Sequence, residues 1–251
     1  MGALKIRREG HVLELTLSNP GRANALDFDI LAALDAQVRA VAADAGVRLV
    51  LLRGTAGGCF SSGADIRQWS ALSPQAFGAD WIAHGMRIFR AFEALRCPTV
   101  AVVEGVCFGG GLELALCADL RVASTQALFS FPEVGLGAFP GWEGGARLAR
   151  IAGRGRALEA VLTARRIDAA TALDWGLVSA VWPPSGLEAG LAALAGTLTT
   201  VSPAAAATAK AAILGEEGPA FDHPAAASRL RASADAETGL QAFLQKQPPR
   251  F

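Results

Sequence analysis

Two nearly continuous apolar runs, each leading into a glycine turn, constrain this chain more than any other feature. Val47-Arg48-Leu49-Val50-Leu51-Leu52 is followed by Gly58-Cys59-Phe60-Ser61-Ser62-Gly63, and Thr99-Val100-Ala101-Val102-Val103 by Phe108-Gly109-Gly110-Gly111. A run of that length with no polar alternation has no solvent side, so it suits a strand in a sheet covered on both faces. His11-Val12-Leu13-Glu14-Leu15-Thr16-Leu17 alternates instead, the period of a half-buried strand, and Asn19-Pro20-Gly21 ends it as a turn. From Ala25 to about Val41, the positions Leu26, Ile30, Leu31, Leu34 and Val38 follow helical spacing, and Trp81, Ile88, Phe89, Phe92 and Leu95 form a second helical stripe. Residues 118–123 and 128–129 predict short strands. Beyond Trp142 the pattern turns helical, over 147–151, 157–162, 169–175, 187–198, 203–214 and 225–243, with Pro224 marking the last start. Strands alternating with helices, then a helical tail, predict an α/β core with a helical C-terminal lobe.

The 251 residues fit one large domain, or one with a small appendage, and can bury a sizeable core. Lys+Arg 23 balances Asp+Glu 23, which gives no electrostatic footprint for nucleic acid but leaves self-association open. The four cysteines show no C-x-x-C pairing and no nearby histidine, which argues against zinc; most read as small buried hydrophobes. His11, His84 and His223 sit beside no motif nucleophile, which argues against a Ser/His/Asp triad. The N-terminal ten residues lack the apolar stretch of a secretory signal. Glu104, the glycines and Glu113 interrupt the best candidate for a membrane span. The expectation is a cytoplasmic protein without nucleic-acid or membrane partners.

Chemistry points to two carboxylates. Glu113 closes the run Val106-Cys107-Phe108-Gly109-Gly110-Gly111-Leu112-Glu113, and Glu133 sits in Phe131-Pro132-Glu133-Val134-Gly135-Leu136-Gly137. Two carboxylates converging on one cleft can hold a water and divide acid and base roles. The triple glycine can bare a backbone N–H for an oxyanion. Each piece has a plainer reading: Glu113 as a helix-capping glutamate, Glu133 as a solvated loop carboxylate, and Ser62-Gly63-Ala64-Asp65 as an ordinary turn with Asp65 as a cap. The backbone N–H groups of the first turn can point at a ligand, while Phe108-Gly109-Gly110-Gly111 has neither the Gly-Lys-Ser/Thr of a phosphate-binding loop nor the spacing of a dinucleotide fingerprint. What separates the readings is their combination. Two glycine turns follow two buried strands, two glutamates come next, and a third glycine-rich turn follows, Pro140-Gly141-Trp142-Glu143-Gly144-Gly145.

In this order and spacing the chain resembles the crotonase superfamily, the enoyl-CoA hydratases and isomerases. The resemblance rests on Asn24-Ala25-Leu26, Ser62-Gly63-Ala64-Asp65-Ile66, Phe108-Gly109-Gly110-Gly111-Leu112-Glu113-Leu114-Ala115, Pro132-Glu133, Phe139-Pro140-Gly141, Gly176-Leu177-Val178 and Ala242-Phe243-Leu244-Gln245-Lys246. It implies a ββα spiral core over residues 1–190 and a helical trimerisation region over 191–251, assembled as a homotrimer or a dimer of trimers. It implies an acyl-CoA thioester as substrate and no cofactor beyond the coenzyme A moiety. By position, the N–H groups of Ala64 and Gly110 would form the oxyanion hole, and Glu113 and Glu133 would handle water and proton. Arg22, Ala23, Ala25, Ser62, Gly63, Asp65, Ile66, Phe108, Gly109, Pro132, Gly141 and Trp142 fall at positions contacting substrate or CoA. Phe243 and Lys246 match positions that reach a neighbouring subunit's CoA. The implied reaction is hydration of a trans-2-enoyl-CoA, with double-bond isomerisation, thioester hydrolysis, decarboxylation or silent CoA binding as the rival readings. Trp142 and Glu143 depart from the family's small, glycine-rich segment. They read either as a bulky residue at the pocket floor beside a helix-start carboxylate, or as a reshaped acyl pocket with a third carboxylate near the chemistry. Ser62 stands where alanine is common.

Overall fold

The two apolar runs lie side by side at the centre of the molecule. The computed structural model describes residues 2–55, 58–215 and 221–251. A six-stranded sheet takes the order β1 (Ala3–Glu9), β2 (Val12–Ser18), β3 (Leu49–Arg53), β4 (Thr99–Val103), β6 (Leu120–Ser124), β9 (Ala180–Trp182), antiparallel between β1 and β2 and parallel thereafter. All residues of β3 and β4 are buried, and their alternate side chains serve two different cores. Val50, Leu52, Ala101 and Val103 pack in the main core with α1 (Phe28–Ala43), through Ile30, Leu31, Leu34 and Val38. Leu49, Leu51, Val100 and Val102 pack on the opposite side against Leu187 and Leu191 of α9 (Pro184–Thr200). Cover on both faces is the reason these strands show no alternation. β3 ends in Arg53, whose buried guanidinium donates to Glu104 at 2.7 Å and Glu188 at 2.6 Å.

Successive turns of chain stack as strand–strand–helix units, which is the expected spiral. β4, β5 (Val106–Phe108) and α5 (Gly110–Ala115) make one unit; β6 and β7 (Leu128–Ser130) begin the next. β5 pairs with β7, which also pairs with β8 (Ile167–Asp168), while Ser61 bridges Cys107. These pairings form a second wall beside the large sheet. Between β3 and β4 the chain runs through the short helices α2 (Ile66–Trp69) and α3 (Pro74–Ala76), a π-helical segment (Phe77–Ala83) and α4 (His84–Glu93). The later helices are α6 (Gly144–Ala152), α7 (Arg154–Thr163), α8 (Ala169–Asp174), α10 (Pro203–Leu214), α11 (His223–Arg231) and α12 (Ala234–Leu244).

Several elements differ from the sequence expectation. β1 is a largely exposed edge strand whose sequence carries little alternation to read, and β5, β8 and β9 are too short to show a period. The helix expected over 225–243 is two helices, broken where Ser233 adopts an extended backbone and its side chain accepts from the Ala236 N–H to cap α12. The division expected after residue 190 falls within α9, and Leu187 and Leu191 on either side of it both pack on the sheet. Among the described residues no single helix is long and apolar enough to cross a membrane.

Candidate active site

Two glycines in left-handed or related backbone, Gly63 (φ 107°) and Gly109 (φ 50°), bring the two turns into contact. Side chains rarely adopt such angles, so glycine fits here without strain. A Cβ placed on Gly63 would stand 3.1 Å from the Phe108 carbonyl oxygen and 3.4 Å from the Gly110 nitrogen; one on Gly110 would stand 3.3 Å from the Ala64 nitrogen. The Ala64 and Gly110 peptides are therefore neighbours. Leu26 donates to the Gly63 carbonyl and accepts from the Asp65 N–H, a parallel bridge that leaves the Ala64 N–H facing the other way. Gly110 opens α5, where the first N–H groups have no partner within the helix. Among the described residues neither N–H has a protein acceptor. Two such donors side by side suit an oxygen on which negative charge develops.

Glu113 lies in the first turn of α5 and is 3% exposed. Its Oε1 accepts from the Trp142 N–H at 2.7 Å and the Gly144 N–H at 2.9 Å. A Cβ on Gly144 would come within 2.4 Å of the Glu113 Cγ, so glycine is required for this approach. Burial pushes the Glu113 carboxyl up to about 8; the Gly144 N–H opposes the rise and the charge of Glu133 adds to it. Glu133 opens a 3₁₀ turn (Glu133–Leu136), and burial raises it to about 7. Its Oε1 rests against Gly109, where a Cβ would lie 2.8 Å away, and its buried Oε2 has no protein partner among the described residues. Glu113 thus receives two N–H groups from outside its own helix, one of them opening α6, and Glu133 is half-buried with its Oε2 closed off from solvent. The two carboxyls flank the turn that carries the Gly110 N–H.

The surrounding segments hold this geometry. Ala23 and Asn24 both adopt positive φ; the Asn24 side chain donates to the Cys59 carbonyl at 2.7 Å, and the Ser62 N–H donates to the Ala23 carbonyl at 2.9 Å. Asp65 caps α2 by accepting from the Arg67 N–H, and its other oxygen receives the Arg22 guanidinium at 2.5 Å. Arg22 therefore holds the turn as well as lying half-exposed beside it. Ala25 is buried next to Leu26, Ile66 is exposed, and Pro132 precedes Glu133 in the 3₁₀ turn. A Cβ on Gly141 would meet Ile82 of the π-helical segment at 2.7 Å.

Trp142 is 2% exposed and packs on Trp81 and Phe89 with centroids 5.4 and 5.0 Å away. Its indole N–H donates to the Trp81 carbonyl, and its six-membered ring lies against Gly110, where a Cβ would come within 2.5 Å. The bulky side chain fills the space behind the oxyanion turn. Glu143 turns the other way, into ion pairs with Arg90 and Arg147 that hold its carboxyl below the ordinary range. It is no third carboxylate of the cleft. Phe243 lies on α12 and Lys246 just after it; α12 packs on α10 and α11, and no contact among the described residues ties either to the Glu113–Glu133 cluster. The sequence reading missed Ser61, whose buried hydroxyl accepts from the Gly63 N–H at 3.1 Å, and Arg147, which donates to the Trp142 carbonyl at 2.6 Å. Ser61 carries no signal beyond its place in the turn, and Arg147 looks like any helical arginine.

The enoyl-CoA hydratase/isomerase family matches residues 7–251. A crotonyl-CoA hydratase of Syntrophomonas wolfei is 36% identical over 256 residues, spanning 98% of this chain and 96% of that protein. A short-chain-enoyl-CoA hydratase of Clostridium acetobutylicum is 36% identical over 211 residues, spanning 83% of this chain and 79% of that one. Among solved structures, an enoyl-CoA hydratase from Bacillus anthracis superposes with a TM-score of 0.91 at 29% identity, covering 99% of this chain and 98% of its own. DspI of Pseudomonas aeruginosa does so with a TM-score of 0.92 at 30% identity, covering 99% and 96%. Fold and sequence agree, and the chain belongs to the enoyl-CoA hydratase/isomerase family and has the crotonase fold.

Proposed function

We propose that this protein is a hydro-lyase that adds water across the 2,3 double bond of a trans-2-enoyl-CoA. The observation that carries the reading is the pair of carboxyls, Glu113 buried and Glu133 half-buried, both raised toward neutrality beside two N–H donors without a protein acceptor. The thioester oxygen lies between the Ala64 and Gly110 N–H groups, which draws electron density from the β-carbon. A water between Glu113 and Glu133 attacks that carbon. With carboxyls raised to about 8 and about 7, the pair holds roughly one proton near neutral pH, shared as a coupled unit. The ionised member takes a proton from the water as the C–O bond forms, charge passes to the thioester oxygen, and the protonated member delivers its proton to the α-carbon. One water is consumed and the pair's proton count is restored.

Arg22, Ala23, Ala25, Ser62, Gly63, Asp65, Ile66, Phe108, Gly109, Pro132 and Gly141 serve as the binding surface for the CoA thioester, with Trp142 behind it, and no cofactor beyond the CoA moiety is required. We assign 1–190 to the catalytic core and 191–251 to assembly, with α9 shared between them. Phe243 (79% exposed), Leu244 and Ile213 leave an apolar face on α10 and α12, which supports a homotrimer or a dimer of trimers in which Phe243 and Lys246 reach a neighbour's CoA. The protein works in the cytoplasm. A panel of acyl-CoA thioesters with products weighed by mass spectrometry tests the reaction. Gain of one water on crotonyl-CoA is expected; rearrangement without a mass change would make the protein an isomerase.

A further inference from the structure

Glu143 adopts a backbone conformation that most residues avoid, and its side chain is committed to a chain of ion pairs. Its φ of 72° and ψ of 15° lie in the left-handed region, where glycine would fit without steric cost. Around a residue in this region, the N–H groups of the residues before and after it can converge on one point and make an anion-binding concavity. Here the point is the Glu113 Oε1, reached by the Trp142 and Gly144 N–H groups on either side of Glu143. Outside the cleft, Arg90 Nε donates to the Glu143 Oε2 at 2.9 Å and Arg90 Nη2 to its Oε1. Arg147 Nη2 lies 3.3 Å from the same Oε2, and Arg147 also donates to Glu93 at 2.8 and 3.1 Å. Arg90 and Glu93 stand one turn apart on α4; Glu143 and Arg147 stand one turn apart at the start of α6. The alternating charges bind the two helices across the turn.

We propose that Glu143 is a positioning residue for Glu113: its ion pairs with Arg90 and Arg147 hold the 142–144 turn in the left-handed form that aims both N–H groups at the Glu113 carboxylate. The inference rests on the hydratase reading only for its kinetic arm. The groups facing Glu113 are Glu133 from the turn after β7 and Arg147 from α6, with the Cys117 thiol, in the turn after α5, donating to the Glu113 carbonyl.

The test compares Glu143→Ala, Glu143→Gly and Arg90→Ala with the wild type. It measures kcat and KM on crotonyl-CoA, the pH profile of kcat, and the titration of the Glu113 carboxyl by carbon-13 NMR of labelled glutamate, with Glu113→Gln identifying the resonance. Glu143→Ala is expected to lower kcat about 10- to 100-fold with KM changed less than about threefold. Loss of aimed N–H donors should move the Glu113 titration and the matching limb of the pH profile upward. Arg90→Ala should move both in the same direction by less. Glu143→Gly, which adopts the left-handed form freely, should recover part of the loss. An unmoved Glu113 titration in Glu143→Ala and Arg90→Ala overturns the proposal, as does a glycine variant no better than alanine. If the alanine variant fails to fold, the titrations of Arg90→Ala and Glu143→Gly decide. A wild type that leaves crotonyl-CoA unchanged would count against the hydratase reading, while the NMR arm still judges the role of Glu143.

Discussion

At the residue scale, the candidate site is two carboxyls, one buried and one half-buried, that burial makes expensive to ionise. Glu113→Gln and Glu133→Gln should each lower turnover by roughly 10²–10⁴-fold while the fold persists, measured on crotonyl-CoA with circular dichroism as control. Near-normal hydration by either variant would remove that residue from the mechanism. Burial also couples the site to stability. A carboxyl raised from 4.5 to about 8 binds its proton more tightly in the folded state. Its contribution is full below the ordinary carboxylate range and is lost as pH rises through about 8. The wild type should therefore lose more stability than Glu113→Gln between about pH 5 and about pH 9, in urea unfolding followed at both. Equal losses would show that Glu113 ionises without strain. Trp142 gives a second prediction. Its indole fills the space behind Gly110, so Trp142→Ala should extend activity toward longer acyl chains and cost about 3–5 kcal/mol of stability. An unchanged chain-length profile would sink its role as a pocket wall.

At the element scale, short pieces do the positioning. α2 has four residues and α5 six, too short to persist alone, so caps and cross-contacts decide where they sit. Asp65 caps α2 and is itself held by Arg22. The pair is partly exposed, so Arg22→Ala should cost stability only about 0.2–1 kcal/mol. Its larger effect should be on KM, greater for a CoA thioester than for a pantetheine thioester of the same acyl group. Equal effects on both ligands would place Arg22 away from the nucleotide end. The strand–turn–helix order of these pieces was legible, because buried strands and glycine turns leave a plain mark. Their lengths were not: β5, β8 and β9 have two or three residues, less than one reading of any period. The break before α12 escaped for a related reason, since Ser233 caps from inside an otherwise unbroken helical pattern.

At the scale of the whole molecule, the C-terminal helices present apolar side chains outward, and Phe243 and Lys246 stand apart from the cleft. If they serve a neighbour's CoA, Phe243→Asp should shift the protein to smaller species in light scattering and raise KM for the CoA thioester together. An unchanged oligomer with unchanged KM would leave those two residues without a role in the site. The sequence by itself determined the buried strands and the glycine turns and pointed to the two glutamates beside them, because each depends on residue type and local spacing: an all-apolar run has no solvent face, and glycine accepts the angles at Gly63 and Gly109 without strain. What it left open was direction. Glu143 could have faced the cleft and instead joined Arg90 and Arg147, the Trp142 indole came to lie against Gly110, and Arg22 met Asp65. Arg22 and Asp65 lie 43 residues apart in the chain and Arg90 and Glu143 lie 53 apart, and only the packed fold brings them together. The same packing raised the carboxyl of Glu113, since burial and a neighbouring charge belong to no residue until the fold is complete.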